Sequence, residues 1–337
     1  MILVTGGTGL VGSYLLLKLA GKSKQVKVLY RTDSSKHEVY DLFRLYEPKR
    51  FRKLFESLQW VKGDILDITS LQEAFSDITE VYHVAGKVSF EEKDKKELYK
   101  INIEGTQNMV NLSINNNIYK FCFISSIATL DSNFEQLYIN ENVEWNFKFN
   151  HSSYACSKYG AEMEVWRGSQ EGLNVLVVHP GIVLGSGNWK RGNGMLYDRA
   201  YSNRAYYTTG NTGFIDASDV AEICIRLMDD PTIHNDKFIL TADNVSYMDL
   251  MFMLRKEFKR KPPVKISNFM LKKISLFSHL LPINRKISKP AYLALTSQNK
   301  YSNDKIKKVL SYPFIPIQDS LKMHAKNYLQ YKKLNND

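Results

Sequence analysis

Tyr154 and Lys158 stand four residues apart in the run Tyr-Ala-Cys-Ser-Lys, near the start of a segment that patterns as a helix. Residues at that spacing share a helix face, so the phenol and the ammonium can point into one site. A free tyrosine has a pKa near ~10, too high for proton exchange at neutral pH. A neighbouring cation stabilises the phenolate and lowers that value, which would make Tyr154 an acid/base. Alone, the pattern reads equally as a surface aromatic beside a solvated lysine. Ser126 adds weight to the first reading. It ends the strand-like run Phe123-Ile124-Ser125-Ser126, twenty-eight residues before Tyr154. Strand ends of a doubly wound sheet open on one ligand crevice, so Ser126 can hydrogen-bond the same carbonyl oxygen that Tyr154 protonates.

A second cluster binds rather than reacts. Residues 5–12 read Thr-Gly-Gly-Thr-Gly-Leu-Val-Gly. Gly7, Gly9 and Gly12 satisfy G-x-G-x-x-G, and Gly6, Gly9 and Gly12 equally satisfy G-x-x-G-x-x-G. One glycine permits positive φ, a second lets the backbone approach a pyrophosphate, and a third lets helix pack on strand. The helix that opens at Leu10 and Val11 offers unpaired N–H groups and a partial positive charge to phosphates. No Lys-Ser or Lys-Thr pair follows the last glycine, which excludes a nucleoside-triphosphate loop. A dinucleotide is the expected ligand, and Lys158 would hold its ribose hydroxyls. An acidic side chain about twenty residues after the glycines commonly meets the ribose 2′-hydroxyl. Arg31 lies nineteen residues beyond Gly12, and its guanidinium suits a 2′-phosphate, with Lys36 assisting. NADP(H) is therefore the expected cofactor, while Asp33 keeps NAD open.

The elements that must position these residues alternate. Strands are predicted at Ile2 to Val4, Val26 to Tyr30, Gln59 to Lys62, Val81 to Val84, Phe121 to Ser125 and Val175 to His179. Helical patterns lie between them, notably Asp94 to Asn115 and Ser153 to Glu171. Such alternation means an α/β fold, a doubly wound parallel sheet covered on both faces. After Val183 come the glycines Gly185, Gly187, Gly192 and Gly194 and the aromatic segment Tyr197 to Tyr207. A helix at Ala217 to Met228 and a strand at Lys237 to Thr241 suggest a return to the core. The expected organisation is a dinucleotide-binding domain of residues 1–183 and 214–242. A smaller lobe of residues 184–213 and 243–337 would shape the substrate pocket.

Composition narrows the class. Of 337 residues, 44% are hydrophobic and 24% charged, ordinary globular values that argue against disorder. No apolar run approaches the ~20 residues of a membrane span, and Gly6, Gly7 and Gly9 interrupt any signal-peptide core. Three widely spaced cysteines fit a reducing, cytoplasmic setting. The net charge of +11 is uneven, since residues 251–337 hold 19 Lys+Arg against 4 Asp+Glu. That reads first as solvated surface and second as a field for an anionic partner. Residues 264–290 pair Phe269, Met270, Leu271, Ile274, Leu276 and Phe277 with Lys272, Lys273, Arg285, Lys286 and Lys289. They read as a lid helix, with a membrane-touching surface helix as the alternative. Met248, Leu250, Met251 and Leu254 recur at helical spacing and read as core. The histidines show no metal spacing; His83 and His179, at strand ends, read as packing or hydrogen-bonding residues.

In order and spacing the chain resembles the extended short-chain dehydrogenase/reductase family, also called the NAD-dependent epimerase/dehydratase family. Landmarks after the glycine turn are Gly63-Asp64-Ile65-Leu66-Asp67, His83-Val84-Ala85-Gly86, Asn102-Ile103-Glu104-Gly105-Thr106, Ser125-Ser126 and Tyr154 to Lys158. Later ones are His179 to Gly185, Phe214 to Ala221, and Asn303-Asp304-Lys305. The resemblance implies a Rossmann fold with a smaller C-terminal substrate-binding lobe. It implies Tyr154 as acid/base, Lys158 as its electrostatic partner and ribose ligand, and Ser126 as carbonyl orienter. Asp64 would accept from the adenine amino group, with Ile65 alongside. Ala85 and Gly86 would pass the cofactor by backbone, and Pro180 and Val183 would border the nicotinamide. Asn102 would order the site, its bland alternative being a helix N-cap. The helices bearing Asn102 and Tyr154 would form a homodimer interface.

Departures from the family pattern narrow the activity. Sugar 4,6-dehydratases carry Thr-Asp-Glu where this chain has Ser126-Ile127-Ala128, so the acid that expels water is missing. His179 stands where sugar-nucleotide epimerases often place Asn or Arg. Arg31 and the run Glu141 to Trp145 look more like the dihydroflavonol-reductase and 3β-hydroxysteroid-dehydrogenase branches. The leading expectation is an oxidoreductase of a small-molecule carbonyl or alcohol, with neither nucleic acid nor membrane as partner. An NAD-retaining nucleotide-sugar epimerase and a non-catalytic dinucleotide sensor are the alternatives.

Overall fold

The structure is a computed structural model, and it describes residues 1–131, 137–187, 189, 192–277 and 289–335. Its first half runs β1 (Ile2–Thr5), α1 (Leu10–Gly21), β2 (Val26–Tyr30), α2 (Lys36–Tyr46), α3 (Phe51–Glu56), β3 (Gln59–Lys62), α4 (Ile68–Ala74) and β4 (Glu80–His83). Then come α5 (Lys95–Tyr99), a π-helical turn (Lys100–Glu104), α6 (Gly105–Asn115), β5 (Lys120–Ile124), α7 (Ser153–Gln170) and β6 (Val175–Pro180). The helix expected from Asp94 to Asn115 is thus interrupted by a wide turn at Asn102, a feature that sequence periodicity does not register.

The large sheet has seven strands in the order β10-β6-β5-β4-β1-β2-β3, where β10 is Asp236–Leu240. Every pairing in it is parallel. Strand side chains alternate between two cores. Val4, Cys122, Ile124, Leu176 and Val178 face one layer, with α1 and with α9 (Ala217–Asp229). Leu3, Phe121, Phe123, Val175 and Val177 face the other, with α6 and α7. Burial on both faces is why β5 and β6 read as continuous apolar runs. Lys120 is the exception inside β5. Its buried ammonium donates to the carbonyls of Leu227 and Asp230, both at 2.7 Å, and so closes the C-terminus of α9.

The remaining elements follow β6. They are β7 (Ile182–Leu184), α8 (Met195–Tyr201), β8 (Tyr206–Tyr207), β9 (Asn211–Asp216), β11 (Asp243–Ser246), α10 (Tyr247–Glu257), β12 (Val264–Lys265), α11 (Asn268–Phe277), α12 (Lys289–Thr296), α13 (Asp304–Leu310) and α14 (Ile317–Asn335). A small sheet of order β11-β9-β7 leads from the large sheet into a third core of Trp189, Tyr197, Phe214, Leu254 and Tyr328. Leu250, Met251 and Leu254 are buried there, but Met248 is 40% exposed. Three of that helical quartet face the core; Met248, one position further round, does not. Phe269 and Met270 are exposed on α11 while Leu271 is buried. Arg285 and Lys286 of the basic, apolar segment lie outside the described residues, as do the side chains of Ile274, Leu276 and Phe277.

Candidate active site

Strand order reverses between β1 and β4, and the crevice at such a switch point is where open α/β sheets take ligands. The Thr5 to Gly12 loop fills one side of it. Gly6 has φ +68°, and a Cβ there would stand 2.5 Å from the backbone nitrogen of Ala85. A Cβ on Gly12 would lie 2.1 Å from the Gly6 carbonyl oxygen. Only glycine fits either place. Gly9 is exposed and caps α1 without a side-chain hydrogen bond, so the first amides of this twelve-residue helix stay open. Leu10 and Val11 are half-buried beside it. Bare backbone at an uncapped helix N-terminus fits the diphosphate of a dinucleotide.

The opposite wall is laced to the first. His83 is fully buried between Thr5 and Thr106, with Oγ1 atoms 2.7 Å from Nδ1 and 3.0 Å from Nε2. Burial, helped by the charge of Lys158, brings its pKa down to about 3, so the ring is neutral. Ala85 and Gly86 continue from β4 as open loop, Gly86 exposed. Asn102 holds that loop. Its Nδ2 donates to the Lys87 carbonyl (3.0 Å) and to Ser157 Oγ (2.8 Å), and its Oδ1 accepts from the Lys87 amide (2.7 Å). It lies inside the π-helical turn, not at a helix start, so the N-cap alternative fails. Its amide is spent on protein partners, Lys87 and Ser157, and so holds the loop that follows β4.

Ser126, Tyr154 and Lys158 sit just after β5 and in the first turns of α7. Ser152 caps α7, accepting from the Ala155 amide at 3.1 Å, which fixes the first turn where Tyr154 projects. Ser126 is half-buried, and its Oγ accepts from the Ala128 amide at 3.1 Å. Burial raises the Tyr154 pKa, and the Ser126 hydroxyl beside the phenol works against that rise. Phe90, 55% exposed, packs its ring edge-to-face on Tyr154 with centroids 5.6 Å apart. Lys158 differs from expectation. Its Nζ donates to the Ile124 carbonyl at 2.6 Å and stands 4.2 Å from the Phe123 ring centroid. A buried ammonium takes the nearest acceptor, and here that is the backbone of β5 rather than the phenol. Burial brings its pKa down to about 7, with Glu162 pulling the other way.

At the adenosine end, Arg31 follows β2, exposed and without an ion pair among the described residues. Lys36 is engaged: its Nζ lies 3.0 Å from Asp33 and 3.7 Å from the Tyr30 ring centroid. Asp64 Oδ1 accepts from the Leu66 amide at 3.0 Å. The Ile65 side chain is 7% exposed and packs into the core against Gly105, where a Cβ would stand 2.5 Å from Cδ1. Pro180 ends β6 and Val183 lies on β7, both buried.

Sequence reasoning missed what lies beneath. Glu162, 5% exposed, gathers three donors, Ser125 Oγ at 2.7 Å, His179 Nε2 at 2.9 Å and Trp166 Nε1 at 3.2 Å, with Thr129 Oγ1 also 3.3 Å away. His179, read from sequence as a packing or hydrogen-bonding residue, is a partner in that group. The available signal for Glu162 was its spacing, two helical turns after Tyr154, which puts all three of Tyr154, Lys158 and Glu162 on one face.

Residues 2–239 match the profile of the NAD dependent epimerase/dehydratase family. Among curated relatives, cinnamoyl-CoA reductase 1 of Petunia hybrida is 25% identical over 332 residues, covering 95% of this chain and 90% of that one. Dihydroflavonol 4-reductase of Dianthus caryophyllus is 24% identical over 282 residues, 80% of this chain and 76% of its own. The crystal structure of UDP-glucose 4-epimerase from Thermotoga maritima superposes with a TM-score of 0.79 at 19% identity. It covers 98% of this chain and 99% of its own, which speaks for the fold alone.

Proposed function

The chain belongs to the NAD dependent epimerase/dehydratase family, and from that premise we propose that it is an oxidoreductase of a small-molecule carbonyl or alcohol with NADP(H) as preferred cofactor. The carrying observation is the convergence of Ser126, Tyr154 and Lys158 on the mouth of a crevice whose far wall is an uncapped, glycine-lined helix N-terminus.

When bound, the nicotinamide supplies or accepts the hydride. The chain's own residues manage the proton and the geometry. Tyr154 Oη gives its proton to the carbonyl oxygen during reduction and takes it back during oxidation. Ser126 Oγ donates to the same oxygen and fixes its direction. Lys158 supplies positive charge behind the phenol and ribose contacts in front of it. Gly9, Leu10, Val11 and Gly12 hold the diphosphate, Asp64 the adenine, and Ala85, Gly86, Pro180 and Val183 line the path between. The guanidinium of Arg31, without an ion pair among the described residues, supports a 2′-phosphate, and the engagement of Lys36 with Asp33 gives it the lesser share. Both relatives named as reductases agree with this reading, and the exposed ring of Phe90 against Tyr154 supports a carbonyl compound with an apolar body.

Titrating NADPH and NADH by fluorescence, then screening carbonyl compounds with the tighter one, tests the reading. Tyr154→Phe is expected to lower turnover at least ~10²-fold while leaving cofactor affinity unchanged. Turnover retained in that variant overturns the assignment. Purified protein that keeps NAD bound and consumes no added NADPH would point to the epimerase alternative, whose fold neighbour is the Thermotoga maritima enzyme.

A further inference from the structure

We propose that Glu162 is a positioning residue for this reaction: its buried carboxylate, one helical turn beyond Lys158, sets negative charge behind that lysine and holds the backbone beside Ser126 through Ser125. The inference rests on the oxidoreductase reading for its purpose and on geometry for its content.

Tyr154, Lys158 and Glu162 recur every four residues along the inner face of α7. Lys158 and Glu162 are each 5% exposed, so neither charge is screened by water. An ammonium in such a place releases its proton unless an anion faces it. The titratable groups facing Lys158 are few. Its own helix brings Tyr154 and Glu162. From β4 comes His83, held neutral between two threonines. Strand β5 contributes only the Phe123 ring and the Ile124 carbonyl, and the Asn102 turn brings an amide. Glu162 is therefore the anion available to it, and it raises the lysine against the pull of burial.

The carboxylate is itself secured. Burial raises its pKa, but His179 beside it and the hydrogen bonds from Ser125 and Trp166 outweigh that and bring it down to about 2. It stays charged across the working range. Its other donors point to Ser126. Ser125 precedes that residue, and Thr129 Oγ1, which donates to the Ser126 carbonyl at 2.9 Å, lies 3.3 Å from Glu162 Oε2. The group that charges the lysine thus also sets the backbone from which the Ser126 hydroxyl projects.

The test is a titration of Lys158 by its ¹³Cε NMR signal in lysine-labelled protein, assigned by its loss in Lys158→Met. In Glu162→Gln, which keeps shape and an acceptor, the midpoint should fall by about one pH unit or more. An unchanged midpoint overturns the proposal. Where the Gln variant does not fold, Glu162→Asp withdraws the charge by one methylene. The midpoint should then fall by less, and an unchanged or raised midpoint overturns it. Kinetics gives a second reading in the alcohol-oxidation direction. The acid limb of kcat/KM should move to higher pH in Glu162→Gln, whereas a merely structural role lowers its height and leaves the limb in place. The NMR titration needs no substrate, so an absence of turnover would remove the oxidoreductase reading and still leave the role of Glu162 decided.

Discussion

Among the described residues, buried carboxylate, imidazole and hydroxyl groups join into a chain under the crevice and into another under the lobe. Under the crevice, Glu162 meets His179, Ser125 and Thr129. Under the lobe, Asp216 Oδ2 accepts from His324 Nε2 at 2.9 Å and Ser320 Oγ at 2.6 Å, and His324 Nδ1 lies 2.8 Å from Ser186 Oγ. The second chain has the composition and order of a hydrolase triad. Yet Asp216, His324 and Ser186 are at most 1% exposed, so no substrate reaches the serine. The hydroxyl is instead crowded by Asn327 and Tyr46, and its own backbone amide donates to Tyr14 Oη. The chain fastens α14 to β9, α1 and α2. In the first chain His179 Nδ1 has no partner among the described residues, and the preceding turn of α7 carries Lys158. Both chains are buried, so residue types and burial do not separate them; what adjoins each chain does.

The contrast can be broken at either chain. The largest effect is expected for Asp216→Ala, which leaves His324, Ser320 and the Ser218 amide without their acceptor in a dry interior. Removing one member of such a buried pair costs roughly 3–5 kcal/mol, read by urea unfolding. The Lys158 titration should not move in that variant. If it did, the two chains would not be independent.

Acid should next attack the buried groups around the crevice, His83 as well as the Glu162 chain. His83 titrates at about 3 when folded against an ordinary 6.5, so the unfolded chain binds its proton first and stability falls as pH drops below 6.5. Glu162, at about 2 against 4.5, adds a loss as pH falls through that lower window, on the order of 3 kcal/mol. Lys158 acts at the other end. Its folded value of about 7 lies below the ordinary 10.5, so stability rises as pH climbs from 7 toward 10. Urea midpoints across pH check all three; Glu162→Gln should flatten the part below pH 4.5 and, through Lys158, start the alkaline rise at lower pH. The smallest effect belongs to Ser186→Ala. It strips an acceptor from Asn327 and Tyr46 and should cost roughly 1–3 kcal/mol with cofactor affinity unchanged.

Much of the scaffold was legible because it is written locally. Val26 to Tyr30 and Gln59 to Lys62 are strands over the spans that their composition predicts. The seven-stranded parallel sheet follows from strand and helix alternating at short intervals. Less local features did not show. The π-helical turn at Asn102 leaves the helical pattern of its segment intact while moving one amide onto the Lys87 backbone. The small sheet of β7, β9 and β11 joins segments about thirty residues apart, each too short to carry a period of its own.

By itself the sequence determined the glycine turn, the open helix start behind it and the shared face of Tyr154 and Lys158, because φ restrictions and helical spacing act between near neighbours. Tertiary structure alone decided that Lys158 rests on the Ile124 carbonyl, that Glu162 is charged in the dark behind it, and that His324 is a fastener instead of a base. Those outcomes depend on which distant groups share a waterless space. Burial and Coulomb interaction are properties of that space, not of any stretch of chain.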